Sequence, residues 1–338
     1  MFYLTTGQRS TAQFPQIQVK TGKVLVLKTL DSVMPERQRL AYRSMGLLDF
    51  QERFPDERSC SEYLVGIRFP NGFACPRCGS AAAGRIRTRT LWQCRGCRRQ
   101  VSVTAGTMFH RTRTLLREWF WAIFLTAKDK RGHSALQLSK ELRIPYPRAW
   151  LMMHKLRAAM AYRDARYQLD GIVEMDEAYF GAPDPGKRGR STGRAKALVA
   201  VGLTTDSRPR FARIQVVRRL DARSVEAFAM AGIAPGSTIR TDGLSVYNRL
   251  ATHGFIHEPT VAPGRTKEDV LHWAHIVISN AKTFIVGTFH GLGDRHIQQY
   301  LAEFCYRFNR RHREDELFDR LLFACTTSPL LTHDELTA

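Results

Sequence analysis

The sequence has no apolar run that approaches the roughly 18 uninterrupted residues of a membrane-spanning helix, and it contains no internal repeat or low-complexity tract. The lack of a long apolar run excludes a membrane span within this sequence, and we expect a globular protein of the cytoplasm. At 338 residues the chain exceeds one average domain, so two or three folding units are expected.

Acidic residues are scarce relative to basic ones. The chain has 31 Asp and Glu against 52 Lys and Arg, which gives a formal net charge of +21. Such an excess is typical of proteins that bind polyanions, and nucleic acid is the leading candidate partner. The alternative is a basic surface that only maintains solubility.

Cysteine is also limited, and its seven residues are an odd number that disulfides alone cannot pair. Four of them form two C-x-x-C pairs separated by 15 residues: Cys75, Cys78, Cys94 and Cys97. This spacing predicts a structural zinc site in a ribbon of short strands, and coincidence is the weaker alternative. The other three fall in amphipathic helical patterns and are expected to be buried apolar residues: Cys60, Cys305 and Cys325.

Changes in composition divide the chain into six segments. In order, we predict a dispensable extension (1–44), a helical segment (45–70), the zinc ribbon (71–108), a helix-turn-helix-like region (112–165), an α/β domain (166–326) and a tail (327–338). The α/β assignment rests on three adjacent strand patterns that are followed by alternating helix and strand patterns.

The helix-turn-helix prediction rests on two helical patterns after residue 133. The first covers 134–142, a break contains Pro145 and Pro147, and the second helix follows. The second helix carries candidate DNA contacts at Arg148, Lys155 and Arg157. Two ordinary core helices remain the alternative, because the usual turn glycine is missing.

A second group of basic residues lies in the Gly- and Pro-rich stretch PDPGKRGRSTGRAK, between the first two strands of the α/β domain. We expect its side chains to pair with phosphates, notably those of Lys187, Arg188 and Arg190.

Carboxylates interrupt the first of these strands, in GIVEMDEAYFG (171–181), and Asp242 ends another in TIRTDGLSVY. Two Mg²⁺ ions that act in phosphoryl transfer need carboxylate oxygens from separate segments. Asp176 and Asp242 can converge across adjacent strands, because ligand sites of open α/β sheets lie at the carboxyl ends of strands. Glu174 shares the strand face of Asp176 and is a competing ligand. Glu177 should point to the opposite face, where a structural hydrogen bond and a functional role are both open.

These motifs together resemble the DDE transposases of the insertion-sequence 1595 family. The resemblance covers about residues 45–325 and is carried by FPNGFACPRCGS…LWQCRGCRRQ, GIVEMDEAYFG, RTDGLSVY and HIVISNAKTFIVGTFHG…HIQQYLAEFCYRFNRR, in the order of the family. It implies an RNase H-like catalytic domain in which Asp176 and Asp242 are the first and second aspartates. It also implies structural Zn²⁺, catalytic Mg²⁺ or Mn²⁺, and a homo-oligomer that acts on transposon ends and target DNA in the bacterial nucleoid.

The third catalytic position departs from the acidic pattern of the family. Counting seven residues back from Lys282 gives His275 where relatives have Glu, and this spacing keeps both on one helical face. Asn280 is the alternative third residue, and Lys282 is expected to contact DNA phosphate or organise the site. The expected activity is cleavage and joining of insertion-sequence ends. A DNA-binding regulator on a decayed catalytic scaffold and a nuclease without strand transfer are the alternatives.

Overall fold

The computed structural model describes residues 45–86, 91–181, 194–260, 271–289, 292–293, 295–332 and 335–336. The extension 1–44 and the loop residues Lys187, Arg188 and Arg190 lie outside this range, so the predictions made for them remain predictions. No helix in the described ranges is long and apolar enough to cross a membrane.

A helical core is formed by both ends of the described chain. Its helices are α1 (Leu47–Arg53), α2 (Glu57–Arg68), α3 (Leu116–Lys128), α4 (Ala135–Leu142), α5 (Tyr146–Asp164) and α9 (Leu317–Thr327). Phe318 of α9 packs its ring against Phe50, Phe54 and Phe120. The predicted 166–326 domain includes nearly all of α9, and this boundary is wrong because the apolar face of α9 completes the helical core instead.

Helices α4 and α5 are joined by a tight turn. Arg143 adopts the left-handed conformation (φ 53°, ψ 41°) at the C-cap of α4, so it takes the place of the missing turn glycine. Pro147 lies in the first turn of α5 rather than in the break, where its fixed φ suits a helix start. The residues of α5 after its N-terminal turn are buried or partly buried, and only that turn is exposed.

The zinc ribbon has the three short strands expected of it: β1 (Ala83–Ile86), β2 (Leu91–Cys94) and β3 (Gln100–Ser102). They form an antiparallel sheet in the order β1-β2-β3. A small core lies beneath the sheet, in which the rings of Phe73 and Trp92 stack with their centroids 5.6 Å apart. Such a core is small for independent stability, which is consistent with a ribbon that depends on metal.

The α/β domain is built on one five-stranded sheet. Its strands are β4 (Ile172–Phe180), β5 (Ala195–Leu203), β6 (Pro209–Val217), β7 (Thr238–Thr241) and β8 (Ile256–Pro259), in the order β6-β5-β4-β7-β8. Strands β4, β5 and β6 are antiparallel neighbours, and β7 and β8 run parallel to β4. This arrangement confirms the predicted RNase H-like α/β fold.

Helices cover both faces of this sheet. One face packs against α7 (His272–Phe289) and α8 (Ile297–Phe308), and the other packs against α6 (Ala222–Gly232) and a 3₁₀ helix (Ser245–His253). A second, short 3₁₀ helix (Glu314–Glu316) precedes α9. The apolar run of β5 is explained by this burial, because a central strand covered on both faces has no need of polar alternation.

Candidate active site and zinc ribbon

Asp176 and Asp242 converge at the end of the sheet because of the parallel pairing of β4 and β7. The register pairs Ile172 with Thr238 and Glu174 with Arg240. Continuing it by two residues places Asp242, which directly follows β7, beside Asp176 in the middle of β4. The structure thus brings together the two side chains that the strand pattern predicts to converge.

A third carboxylate joins this pair. One oxygen from each of Asp176, Glu177 and Asp242 lies within 4.8 Å of the others. The pKa of Asp176 is raised to about 6, chiefly by burial and also by the charges of Glu177 and Asp242, while the backbone N–H of Glu177 and the charge of His275 oppose the rise. Hard carboxylate oxygens held this closely suit divalent cations such as Mg²⁺ or Mn²⁺, which would offset their mutual repulsion.

Glu177 does point to the face of the sheet opposite Asp176. There the hydroxyl of Tyr247 donates a hydrogen bond of 3.1 Å to Glu177 Oε2. Tyr247 is fully buried, and burial together with the nearby carboxylates raises the pKa of its hydroxyl, so the hydroxyl remains a donor. Tyr247 could not be predicted as part of the site, because a tyrosine in a helical pattern carries no signal of its partner.

Helix α7 brings His275 to the carboxylates. His275 lies in its first turns, and its Nε2 atom is 3.1 Å from Asp176 Oδ2. Asn280 instead lines a cleft of about 640 Å³ with Lys128 and Arg131, on another side of the helix. Lys282 is exposed on the side of α7 that also carries Ser279 and Val286. Of the two candidates for the third position, only His275 therefore reaches Asp176.

Glu174 fixes the start of this helix. Its carboxylate is 5% exposed, and Glu174 Oε2 accepts a hydrogen bond of 2.8 Å from the backbone N–H of Ala274. Backbone N–H groups at a helix N-terminus need acceptors, and their partial positive charge favours a carboxylate. Glu174 thus ties α7 to β4 two residues before Asp176. By holding the backbone next to His275, Glu174 positions this residue, and Glu174 is not one of the candidate metal ligands.

We predict that Glu174→Ala lowers the free energy of unfolding by about 2 kcal/mol, because it leaves a buried N–H donor without an acceptor. Glu174→Gln retains an acceptor oxygen and should lose less than half of that amount. Chemical denaturation of both variants measures the difference. Equal losses in the two variants would show that the hydrogen bond does not hold the helix.

The four ribbon cysteines are arranged as a metal site. The Sγ atoms of Cys75 and Cys97 are 3.6 Å apart, as are those of Cys78 and Cys94. Sulfurs that surround Zn²⁺ as a tetrahedron at about 2.3 Å lie about 3.8 Å from each other, so this donor set fits the ion. Hydrogen bonds from the backbone N–H groups of Arg77 and Cys78 lower the pKa of Cys75 to about 6, which favours the thiolate that binds metal.

The three candidate DNA contacts on α5 differ in accessibility. Arg148 is exposed in the first turn, and Lys155 is partly buried, with its Nζ 3.4 Å from the carbonyl oxygen of Met108. Arg157 is 1% exposed and donates to Glu303 Oε2 at 2.8 Å. The prediction that Arg157 contacts DNA is wrong, because its charge is neutralised inside the protein by a carboxylate of α8.

Cys60, Cys305 and Cys325 are all buried, as the sequence analysis predicted. Burial raises the pKa of each of these thiols. They therefore behave as small apolar residues rather than as ligands.

Comparison with known proteins identifies two parts of this chain. Residues 168–309 match the ISXO2-like transposase domain, and residues 55–100 match the transposase zinc-ribbon domain. A curated relative, an uncharacterized protein in transposable element ISH50 of Halobacterium salinarum, is 30% identical over 156 residues, which is 45% of this chain and 51% of the relative. The chain thus spans about half the length of the curated relative it matches.

A solved structure, the Mos1 strand transfer complex, also matches. It is 13% identical, and the match covers 62% of this chain and 78% of the other. The TM-score of 0.24 is too low to support a structural comparison. The two domain matches coincide with the cysteine ribbon and with the sheet that carries Asp176 and Asp242. Residues 55–100 and 168–309 of this chain belong to the insertion-sequence 1595 family of transposases.

Proposed function

We propose that this protein is an insertion-sequence transposase that binds the terminal inverted repeats of its element, cleaves DNA at the ends and joins the 3′-hydroxyl to target DNA. The observation that carries the proposal is the meeting of Asp176, in the middle of β4, with Asp242, at the end of the adjacent parallel strand β7, inside the matched transposase domain. Phosphoryl transfer needs such a pair, and the net charge of +21 suits a DNA partner.

In this mechanism Asp176 and Asp242 hold the catalytic Mg²⁺ or Mn²⁺. When bound, the metal ions activate the attacking oxygen and stabilise the charge that develops on the phosphate. His275, next to Asp176, occupies the third position of the site. Lys282, exposed on the same side of α7, contacts a DNA phosphate and positions the strand.

DNA recognition is proposed for the ribbon and for the start of α5. The ribbon presents exposed arginines around its cysteine turns: Arg77, Arg95, Arg98 and Arg99. In helix-turn-helix proteins the N-terminal residues of the second helix contact base edges. Arg148 lies at that position here, with Tyr146 beside it at 49% exposure, whereas the remainder of α5 is largely enclosed. Lys187, Arg188 and Arg190 are proposed to bind phosphates, as expected from their sequence.

His275 at the third position predicts a characteristic metal preference. An imidazole is a poorer ligand than a carboxylate for Mg²⁺ and suits softer metals, so activity should be higher with Mn²⁺. His275→Ala should reduce strand cleavage strongly, and His275→Glu should shift the preference back toward Mg²⁺. Cleavage rates in each metal measure both effects.

Asn280→Ala is the matched control for this prediction, because Asn280 lies on the same helix but lines a separate cleft. It should retain nearly full activity. An inactive Asn280→Ala together with a normal His275→Ala would reverse the assignment and make Asn280 the third residue.

A cleavage assay separates the transposase from the regulator hypothesis. The purified protein is incubated with linear duplexes that carry the DNA flanking the gene, with Mg²⁺, Mn²⁺ or a chelator. We expect strand cleavage at the element ends that requires the metal. End binding with no cleavage in either metal would favour a DNA-binding regulator on a decayed catalytic scaffold.

A further inference from the structure

The proposed site lacks its third acid on helix α7. The helix sequence, HWAHIVISNAKTFIVGTF, contains no Asp or Glu, and its residue nearest the site is the neutral or cationic His275. If Asp176 and Asp242 alone held two dications, their two negative charges would offset only half of the positive charge. A further negative charge would strengthen their binding, because hard cations are held mainly by carboxylates.

Glu177 is placed to supply that charge. Among the described residues, Glu177 is the one other carboxylate grouped with Asp176 and Asp242. One of its oxygens lies within 4.8 Å of an oxygen of each aspartate. Neighbouring residues of a strand normally point to opposite faces, which would separate Glu177 from Asp176. Both nevertheless reach Asp242, because β4 continues past the last paired residue of β7 and Asp242 sits at the open end.

Tyr247 holds Glu177 in this orientation. Its fully buried ring packs in the core between the sheet, α6 and the 3₁₀ helix, so the hydroxyl has a fixed position. From there it donates the hydrogen bond of 3.1 Å to Glu177 Oε2. Partners that orient a ligating carboxylate in this way commonly raise metal affinity by fixing the ligand before the ion arrives.

We propose that Glu177 is the third carboxylate ligand of the catalytic metal site, that it replaces the acid missing from α7, and that Tyr247 positions it. This inference rests on the proposed function, since it adds one residue to the site of Asp176 and Asp242. The competing explanation is a purely structural Glu177, whose only task is to satisfy the buried tyrosine.

Titration calorimetry of the full chain with Mn²⁺, without DNA, tests this inference. Glu177→Gln should weaken Mn²⁺ binding about tenfold or more, because it removes a ligand charge but keeps an acceptor for Tyr247. Tyr247→Phe should weaken binding by a smaller factor, since the charge of Glu177 remains. Glu258→Gln is the matched control at the end of β8, where Glu258 is half-exposed and paired with Arg240, and its Mn²⁺ affinity should equal that of the wild type.

The thermal unfolding midpoint, measured without metal, checks that a loss of Mn²⁺ affinity in Glu177→Gln does not arise from damage to the fold. Glu177→Gln should leave the midpoint unchanged or raise it, because it relieves repulsion among three close carboxylates. Wild-type Mn²⁺ affinity in Glu177→Gln, with weakened affinity in Asp176→Asn, would overturn this inference and leave the proposed function intact. Wild-type affinity in Asp176→Asn would contradict the metal site itself, and with it both proposals.

Discussion

Asp176→Asn and Asp242→Asn are each expected to abolish DNA cleavage and joining while end binding remains close to that of the wild type. A neutral amide weakens the hold on divalent ions, and loss of metal-ion catalysis is worth several kcal/mol, or about a thousandfold or more in rate. DNA affinity should persist, because phosphate and base contacts are made by other residues. Single-turnover cleavage and a mobility-shift titration on the same duplex measure the two quantities.

Asp170→Asn is the control for this pair of variants. Asp170 lies just before β4, is exposed, and pairs with Arg210 at 3.2 Å, away from the carboxylate cluster. It should cleave at the wild-type rate. Cleavage that survives in Asp176→Asn or in Asp242→Asn would remove these residues from the catalytic role.

The second large effect is expected at the ribbon. Cys75→Ser or Cys97→Ser should release the zinc and unfold residues 71–108, because a structural metal supplies much of the folding free energy of so small a module. Recognition of the element ends should then fall more than affinity for unrelated DNA, because non-specific affinity arises from positive charge spread over the chain. Metal analysis and competition binding with the two DNAs measure these losses.

Disruption of the ribbon should extend to its junction with the helical core. Arg68 of α2 donates hydrogen bonds of 2.8 and 2.7 Å to the carbonyl oxygens of Ser102 and Val103, at the end of β3. Cys305→Ala is the control, because this cysteine is buried beneath the large sheet and should keep the zinc. A wild-type protein purified without zinc, with a folded ribbon, would contradict the assignment.

Local patterns were sufficient to predict the elements that carry the chemistry. The spacing of the cysteines predicted the ribbon, and β4 (Ile172–Phe180) lies within the predicted strand stretch 171–181. The apolar strand pattern that ends at Asp242 predicted that Asp242 meets Asp176, because ligand sites of open α/β sheets lie at the carboxyl ends of strands. His275 followed from the position of the Glu in the related family, seven residues before Lys282, and the structure places it against Asp176.

Contacts between distant residues could not be predicted in this way. Arg157 has the sequence context of an exposed helical arginine, and only the fold brings Glu303 against it in the interior. Glu174 was indistinguishable from a metal ligand until α7 was found to begin at its carboxylate. The approach of Glu177 to Asp242 depends on where β7 ends, which strand alternation alone does not reveal.

Joining of DNA ends tests the central claim most directly. The purified protein is incubated with a pre-cleaved duplex whose 3′-hydroxyl lies at the element end, with a target plasmid and Mg²⁺ or Mn²⁺, and the products are sequenced. We predict covalent junctions between that 3′-hydroxyl and target phosphates, formed by the wild type and by Asp170→Asn but absent with Asp176→Asn. If no junctions form in either metal, although the protein cleaves intact element ends, the account is contradicted and a nuclease of the same fold remains.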